Sequence, residues 1–516
     1  MKVNNNLFNK ALNFDKYALL FDGNEISCGL GFNKYETENS VIWLANPNND
    51  SIKLTDLEKL DNEKYHVYDI EGIWSCLIKN KSDGNFRAIT SIQNELPWYY
   101  SIKSKIRLSS NIFLLTDYLS NAAINYEAIS SFLAFDFCYN GETFLNNIRK
   151  TYGGDILFLK DSPLNIKGCD LTKWLGFDES ISNNKVILEH FIKNVEKPIK
   201  KNGAQITLTA GSDSRAILGA AYFSKQNFTL MTGTASSTAK RDIKIASKIA
   251  SILGKEHQKI DESKREVDNI NEAIEKVAIQ TSALFIPRNW LLFYKEYMLN
   301  IGYLQNVSRL MGYRGEFFKG FYTNLSATIS RKTFLLRKNY SNKLSETINA
   351  RFNDYKKISS INAYELFYHR ERDNFWVSSN IRAMLQSGCK VYTPFSDNDL
   401  LKFGYRFEGG IKKINLHRLA IDLLPGQVKE IPTSNNKIAF ISRYIYHKTF
   451  NHNDYNFFLR PKFIKQNLNY ELLNEIMTVE EINSLISKYQ LLGNHDALVH
   501  KLFAVSYFFT LIDKMN

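Results

Sequence analysis

Cysteine is scarce: the 516 residues hold five, Cys28, Cys76, Cys138, Cys169 and Cys389, widely scattered and never in a C-x-x-C pair. An odd, dispersed set argues against a disulfide framework and offers no zinc-ligand spacing, so core packing is the expected role. Long apolar runs are also missing. The longest, LFAVSYFFTLI (502–512), is bracketed by Lys501 and Asp513 and reaches only about half of the roughly 20 residues that a membrane helix needs. A buried helix is expected there, and no membrane partner. The opening MKVNNNLFNK lacks the basic, apolar, small-residue order of a signal peptide, which predicts a cytoplasmic protein. Internal repeats and low-complexity tracts are absent from the sequence. Although the net charge is +13, the densest basic clusters, RKTFLLRK (331–338) and KKI (412–414), are short and sit among apolar residues. That is the pattern of a solvated face, so nucleic acid is not an expected partner.

What is present is an ordinary globular composition, 44% hydrophobic and 23% charged, in a chain long enough for two cooperating domains. Residues 1 to about 160 read as short β-rich segments (YALLFDG, SVIWLAN, KYHVYDI, IWSCLIKN, FRAITSI, LPWYYSI and KIRLSS) broken by Gly, Asn and Asp turns, the signature of a layered β domain. From about 185 the pattern changes to helices of period 3.6 between isolated strands. The stretch KDSPLNIKGCDLTKW (160–174) has the composition of a connector.

The most informative segment is QITLTAGSDSRAILGAAYF (205–223), an alternating strand that runs through a small polar turn into an apolar-faced helix. Such a loop aims free backbone N–H groups at one point, and the helix dipole adds to them, so it suits a phosphate. Gly211 permits close approach, Ser212 and Ser214 add hydroxyls, and Asp213 beside phosphates makes sense as a magnesium ligand. The bland alternative is a Ser/Asp-rich turn that merely caps a helix. FTLMTGT (228–234) then reads as a second strand, DIKIASKIASILG (242–254) as a helix stopped by Gly254, and KEHQKI (255–260) as a third strand. This β–α–β–α–β order predicts a parallel sheet with its ligand at the carboxyl ends of the strands, where Leu208, Thr209, Thr232 and Gly233 lie.

T-A-G-S-D-S after a strand resembles the S-G-G-x-D-S pyrophosphate loop of the asparagine-synthetase type of ATP pyrophosphatase. LMGYRGEFFKGFY (310–322) is similar to that family's L-S-G-x-G-x-D-E-x-x-G-G-Y stretch, with Gly312, Gly320 and Tyr322 in register and Glu316 on the second magnesium-binding acid. VYTPFSDNDLLKFGYRF (391–407) resembles R-x-P-F-L-D-x-x-L, and LLPGQVKEI (423–431) the late L-P-x-x-I. Earlier in the chain, LPWYYS (96–101), IRLSSNIFLL (106–115) and GETFLNNIRKTYGGDILFL (141–159) resemble the family's amidotransferase-domain motifs, so the likeness spans nearly the whole sequence. It implies a fold of α/β plus α+β type: a layered, β-rich, Ntn-hydrolase-like domain over 1–165 and a helix-rich, parallel-sheet ATP-pyrophosphatase domain over 185–516. It further implies ATP and Mg²⁺ as cofactors, a small-molecule or peptide carboxylate activated as an acyl-adenylate, and an amine acceptor. Magnesium would be held by Asp213 and Glu316.

Several departures qualify that expectation. Glutamine-hydrolysing members carry a cysteine directly after the initiator methionine, and Lys2 stands there. Without that thiolate the first domain is expected to be a scaffold, with nitrogen supplied by an amine substrate. Ala210 replaces the first loop glycine, and Arg215 puts a cation at a helix start, where it either reaches a phosphate or pairs with a nearby acid. The usual Asp-Glu pair becomes Glu316-Phe317. Tyr313 occupies the place of the catalytic tyrosine of β-lactam-forming members, whose acidic partner position here falls on Ser378, near Glu371 and Asp373. A core tyrosine is the alternative. The family's late lysine is replaced, since Ile431 and Thr433 stand at the matching positions, which leaves Lys429 and Lys437 as substitutes. His257 is expected to be structural. The rival expectation is a degenerate nucleotide-binding or interaction protein of the same fold.

Overall fold

A computed structural model describes residues 6–23, 25–48, 51–60, 66–101, 107–115, 123–159, 164–174, 184–233, 239–260, 267, 269–282, 307–319, 328–329, 332–360, 362–386, 388–405, 407–408, 411–412, 415–433, 461–492 and 497–514. The first part is built on two antiparallel sheets. One runs in the order β2 (Glu25–Cys28), β1 (Leu19–Asp22), β8 (Arg107–Ser109), β7 (Tyr99–Ser101), β9 (Ile148–Lys150). The other runs β11 (Asn165–Lys167), β10 (Ile156–Leu159), β6 (Phe86–Thr90), β5 (Ser75–Asn80), β4 (Ser40–Ala45), β3 (Phe32–Glu36).

Because successive strand residues face opposite ways, one set of side chains must serve the space between the sheets and the other set the outside. Leu77, Ala88 and Leu157 point inward to the main core with Phe21 and Leu108 of the first sheet. Their neighbours Cys76, Ile78, Ile89 and Ile156 form a separate outer cluster with Leu57, Leu60, Val67 and Trp74. The layered reading therefore holds. One expected strand does not form: within KYHVYDI, residues 67–69 make a tight 3₁₀ turn. The His66 and Asp69 side chains bond back to each other's backbone N–H groups and close it before it can extend. Helices at Asn6–Phe14 and Tyr126–Phe135 also lie in this β-rich part.

In the second part a five-stranded sheet is all parallel, in the order β14 (His257–Ile260), β13 (Phe228–Gly233), β12 (Ala204–Thr207), β15 (Ser308–Leu310), β16 (Lys390–Tyr392), and a short antiparallel pair, Phe407–Glu408 with Ile411–Lys412, stands apart from it. Helix Ser212–Phe223 follows β12 and helix Ala239–Leu253 follows β13, in the β–α–β–α–β order the sequence predicts. Gly254, at φ +61, ends the second of these. From β12 the chain first builds toward β14, then returns to the other side of β12 with β15. The strand order reverses at the β12/β15 boundary, which opens a crevice at the carboxyl ends of those two strands. The helix Ala497–Asp513 is buried along LFAVSYFFTLI, and among the described residues no helix is long and apolar enough to cross a membrane.

Charged groups, not only apolar ones, join the two parts. Arg314 is fully buried; its Nε meets both Asp373 oxygens at 2.8 and 2.9 Å, and its Nη1 meets Glu95 at 2.7 Å and Ser396 Oγ at 2.8 Å. Burial alone would make its proton easier to lose, but Asp373 and Glu95 hold it on more tightly than usual. Asp373 lies on a wide, π-type helix, Tyr368–Val377, which is nearly all buried despite the sequence YHRERDNFWV. Other residues of this segment reach into the first part. Arg370 donates to Gly153 O at 2.6 Å, Asn374 accepts from Gly153 N at 2.6 Å, and Glu371 accepts from Asn140 N and Tyr152 Oη at 3.0 and 2.8 Å.

Candidate active site

The loop after β12 is folded by its own side chains. Ser214 Oγ accepts from Thr209 N at 3.1 Å, Thr209 Oγ1 accepts from Gly211 N at 3.1 Å, and Ala210 N donates to Asp242 Oδ1 at 3.0 Å. Leu208 is buried, and its carbonyl accepts from Thr232 Oγ1 at 2.7 Å. His257 closes that corner, Nε2 on Thr232 Oγ1 at 2.9 Å and Nδ1 on Ser247 Oγ at 3.1 Å; burial and then Lys259 lower its pKa. Both of its ring nitrogens are thus engaged within the protein. Gly233 continues β13 in register with Ile260. Gly211, the N-cap of helix Ser212–Phe223, has no side chain to cap the helix, so the first amides keep their outward donor direction. Ser212 Oγ is buried with no hydrogen-bond partner. An unsatisfied hydroxyl beside bare helix amides fits an oxyanion ligand.

Asp213 projects from this turn into the crevice, where the segment after β15 wraps it. A Cβ on Gly315 would lie 2.0 Å from Asp213 Oδ1, and one on Gly312 would lie 2.7 Å from Asp213 Cβ; only glycine permits this approach. Gly315→Ala should therefore displace the carboxylate while leaving the core intact. The expected outcome is a stability change under about 1.5 kcal/mol, read by urea unfolding.

Glu316, in the segment after β15, has its carboxyl pushed up by burial and by Asp213. Two carboxylates that repel one another on the edge of a phosphate-type loop are the donor set a divalent cation takes. Asp213 already has two basic side chains against it, Lys319 Nζ at 2.7 Å and His417 Nε2 at 2.6 Å. Burial would raise its pKa, yet the hydrogen bond and charge of His417 together with Lys319 bring it below the ordinary value. The His417 ring stacks on Phe395 at 5.1 Å, and its helix, Leu416–Ile421, packs so closely on Ser212–Phe223 that a Cβ on Gly219 would lie 2.0 Å from Ala420 O. Lys319 stands at an unspecified position of LMGYRGEFFKGFY and His417 in no motif; they lie 106 and 204 residues from Asp213 in the chain.

The other expected site residues fall as follows. Arg215 is buried and uses its guanidinium on the carbonyls of Ile431 and Pro432, the latter at 2.6 Å. It pairs with no acid among the described residues, and instead ties the phosphate-loop helix to the late L-P-x-x-I segment. Lys429 is exposed at the end of helix Gly426–Lys429. Lys437, Gly320, Tyr322 and Lys2 lie outside the described residues. Tyr313 is half-buried and packs on the apolar core. The acids nearest its expected partner position are committed elsewhere, Asp373 to Arg314 and Glu371 to Tyr152, Arg351 and Tyr355. Burial raises the thiols of Cys28, Cys76, Cys138 and Cys169, with Cys76 and Cys169 pushed up to about 12. These are not activated thiolates.

Asp397, in the segment resembling R-x-P-F-L-D, caps helix Asn398–Gly404 through Leu400 N at 2.9 Å. Burial and a hydrogen bond with Glu71 push it up to about 7. An acid held above its unfolded value binds more protons when folded, so stability falls as pH rises from the ordinary carboxylate range to about 7 and is level above it. Asp397→Asn, which keeps the cap, should flatten that slope in thermal melts between pH 5 and 8.

Comparison with protein-family models gives no match, and comparison with curated proteins gives none either.

Proposed function

We propose that this protein is an ATP- and magnesium-dependent ligase that activates a carboxylate as an acyl-adenylate and transfers the acyl group to an amine. The single observation that supports this most is the meeting of three things at the β12/β15 crevice: the bare amides of Ser212–Phe223, the orphaned Ser212 hydroxyl, and the Asp213 carboxylate enclosed by Gly312 and Gly315 beside Glu316. In this reading a substrate carboxylate oxygen bonds to the α-phosphorus, the bond from that phosphorus to the bridging oxygen breaks, and pyrophosphate leaves. The amine nitrogen then bonds to the acyl carbon, AMP departs, and the nitrogen gives up a proton.

The loop amides and the Ser212 hydroxyl would hold the pyrophosphate oxygens as negative charge builds on them, which is preorganised stabilisation. Asp213 and Glu316 would hold magnesium, whose chemistry there is to neutralise phosphate charge. Lys319 and His417 would position Asp213 and add positive charge at the same edge. The two-sheet first part would be an amidotransferase-like, Ntn-hydrolase-type scaffold without glutaminase chemistry, consistent with the unactivated thiols.

One observation favours a second reading. Asp213 is held by a lysine and a histidine, and Arg215 is committed to backbone carbonyls, which is how a degenerate site that binds nucleotide without turnover would look. One experiment separates the two. Incubation with ATP, Mg²⁺ and a panel of acids and amines should yield AMP and pyrophosphate in equal amounts, with an amide when both partners are right. ATP binding without either product would support the second reading and contradict the first.

A further inference from the structure

A cleft of about 370 Å³ opens between the two parts of the molecule, and none of its lining residues belongs to the phosphate loop or to the segment after β15. Its walls come from Asn48, 51–56, 69–73, Gln93 and Glu95 on one side and from 194–198 and 391–398 on the other. That volume is at the lower end of small-molecule sites.

Two buried amides in the lining have their orientation set by bonds at the donor end. Asn48 Nδ2 donates to Val391 O at 2.8 Å, and Gln93 Nε2 donates to Ser396 O at 2.8 Å. Asn48 is 2% and Gln93 4% exposed, yet Asn48 Oδ1 and Gln93 Oε1 have no partner. A buried acceptor without a donor is costly, and a donating ligand removes that cost.

The charges around them have the same preference. Asp56, Asp69, Glu71, Glu95 and Asp397 line the cleft; Glu95 is neutralised by Arg314, and Glu71 and Asp397 are joined by a hydrogen bond, which leaves Asp56, Asp69 and that acidic pair. Two lysines line it as well, Lys53 and Lys197, and Lys197 is 3.5 Å from Glu71. The opposite polarity occurs among the unpartnered buried atoms of the lining only at Asn194 Nδ2. In a chain of net charge +13, a lining with more carboxylates than lysines and two unfilled acceptors is selective for hydrogen-bond donors that carry positive charge.

We propose that this cleft is a binding site for a small aliphatic polyamine, held by the Asn48 and Gln93 oxygens and by carboxylates from both parts, Glu71 from one and Asp397 from the other. The site bridges the junction, so occupancy stabilises the docked arrangement by mass action. The inference does not rest on the adenylation reading.

Calorimetric titration of the full chain with putrescine and with spermidine is the test, using 1,4-butanediol and succinate as neutral and anionic controls. One equivalent of at least one amine should bind with a Kd below about 1 mM and raise the thermal midpoint, while neither control binds. Glu71→Gln, at a half-exposed position, and Asp397→Asn, which keeps its helix cap, should each weaken binding by about tenfold. The inference is overturned if neither amine binds up to about 10 mM, if the controls bind as well, or if both variants bind as the parent does. A divalent cation is the other outcome. His190, Asp397 and Asp399 have ligand atoms within 4.8 Å of one another, and tight Mn²⁺ binding there without amine binding would replace the proposal.

Discussion

Asp213→Ala should abolish pyrophosphate release from ATP, a loss of at least about 100-fold, and leave the fold in place. The carboxylate is the one acid that the phosphate-type loop sends into the β12/β15 crevice, and its partners Lys319 and His417 gain nothing in exchange when it is removed. Its side chain is 22% exposed and that of Lys319 is 30% exposed, but that of His417 is only 6% exposed, so the imidazole left without its acceptor should bring the cost to about 1–3 kcal/mol. Urea unfolding should remain cooperative with a lowered midpoint while the release assay falls to background. Asp213→Ala with parental turnover would remove the crevice from consideration as the active site.

Arg314→Met should have the largest effect on stability of any substitution discussed, about 3–5 kcal/mol, because it strands Glu95 and Asp373 as unpaired buried acids. The side chains of these three residues are at most 2% exposed, so water does not replace the lost cation. The cost belongs to the stranded charges, not to the pair itself. The triple variant Arg314→Met, Glu95→Gln, Asp373→Asn should therefore recover a good part of the loss. Urea midpoints for the single and triple variants decide it: a single variant within about 1 kcal/mol of the parent would mean that the buried network does not hold the two parts together.

What the sequence made legible was local. Alternation in QITLTAG, the small polar turn, the stop at Gly254 and the order of three strands were enough to place a parallel sheet and the loop at its carboxyl edge, because strand period, helix caps and right-handed crossovers are short-range rules. The strand expected in KYHVYDI shows the limit: period alone cannot see that His66 and Asp69 will close a turn. The environment of Asp213 lay further out of reach. Lys319 and His417 arrive from distant segments, and Gly315 and Gly219, which let those segments approach, are unremarkable until a neighbour occupies the missing Cβ. YHRERDNFWV looks like a solvated helix face by charge, and it is buried because folding delivers partners from distant segments: Gly153 and Asp155 for Arg370, Tyr152 for Glu371, and Arg314 for Asp373. Arg215 was expected at a phosphate or an acid; it serves two carbonyls, a role no pattern encodes. The cleft residues Asn48 and Gln93 are ordinary polar residues in the sequence, and become notable only when their donor ends are occupied and their acceptor ends are not.

The most direct test of the central claim is exchange of radiolabelled pyrophosphate into ATP, run with Mg²⁺ and a broad panel of carboxylic acids. Exchange reports reversible adenylation alone and does not depend on knowing the amine. An acid-dependent exchange that vanishes in Asp213→Ala is the predicted result. No exchange with any acid, from protein that binds ATP, would contradict the ligase reading.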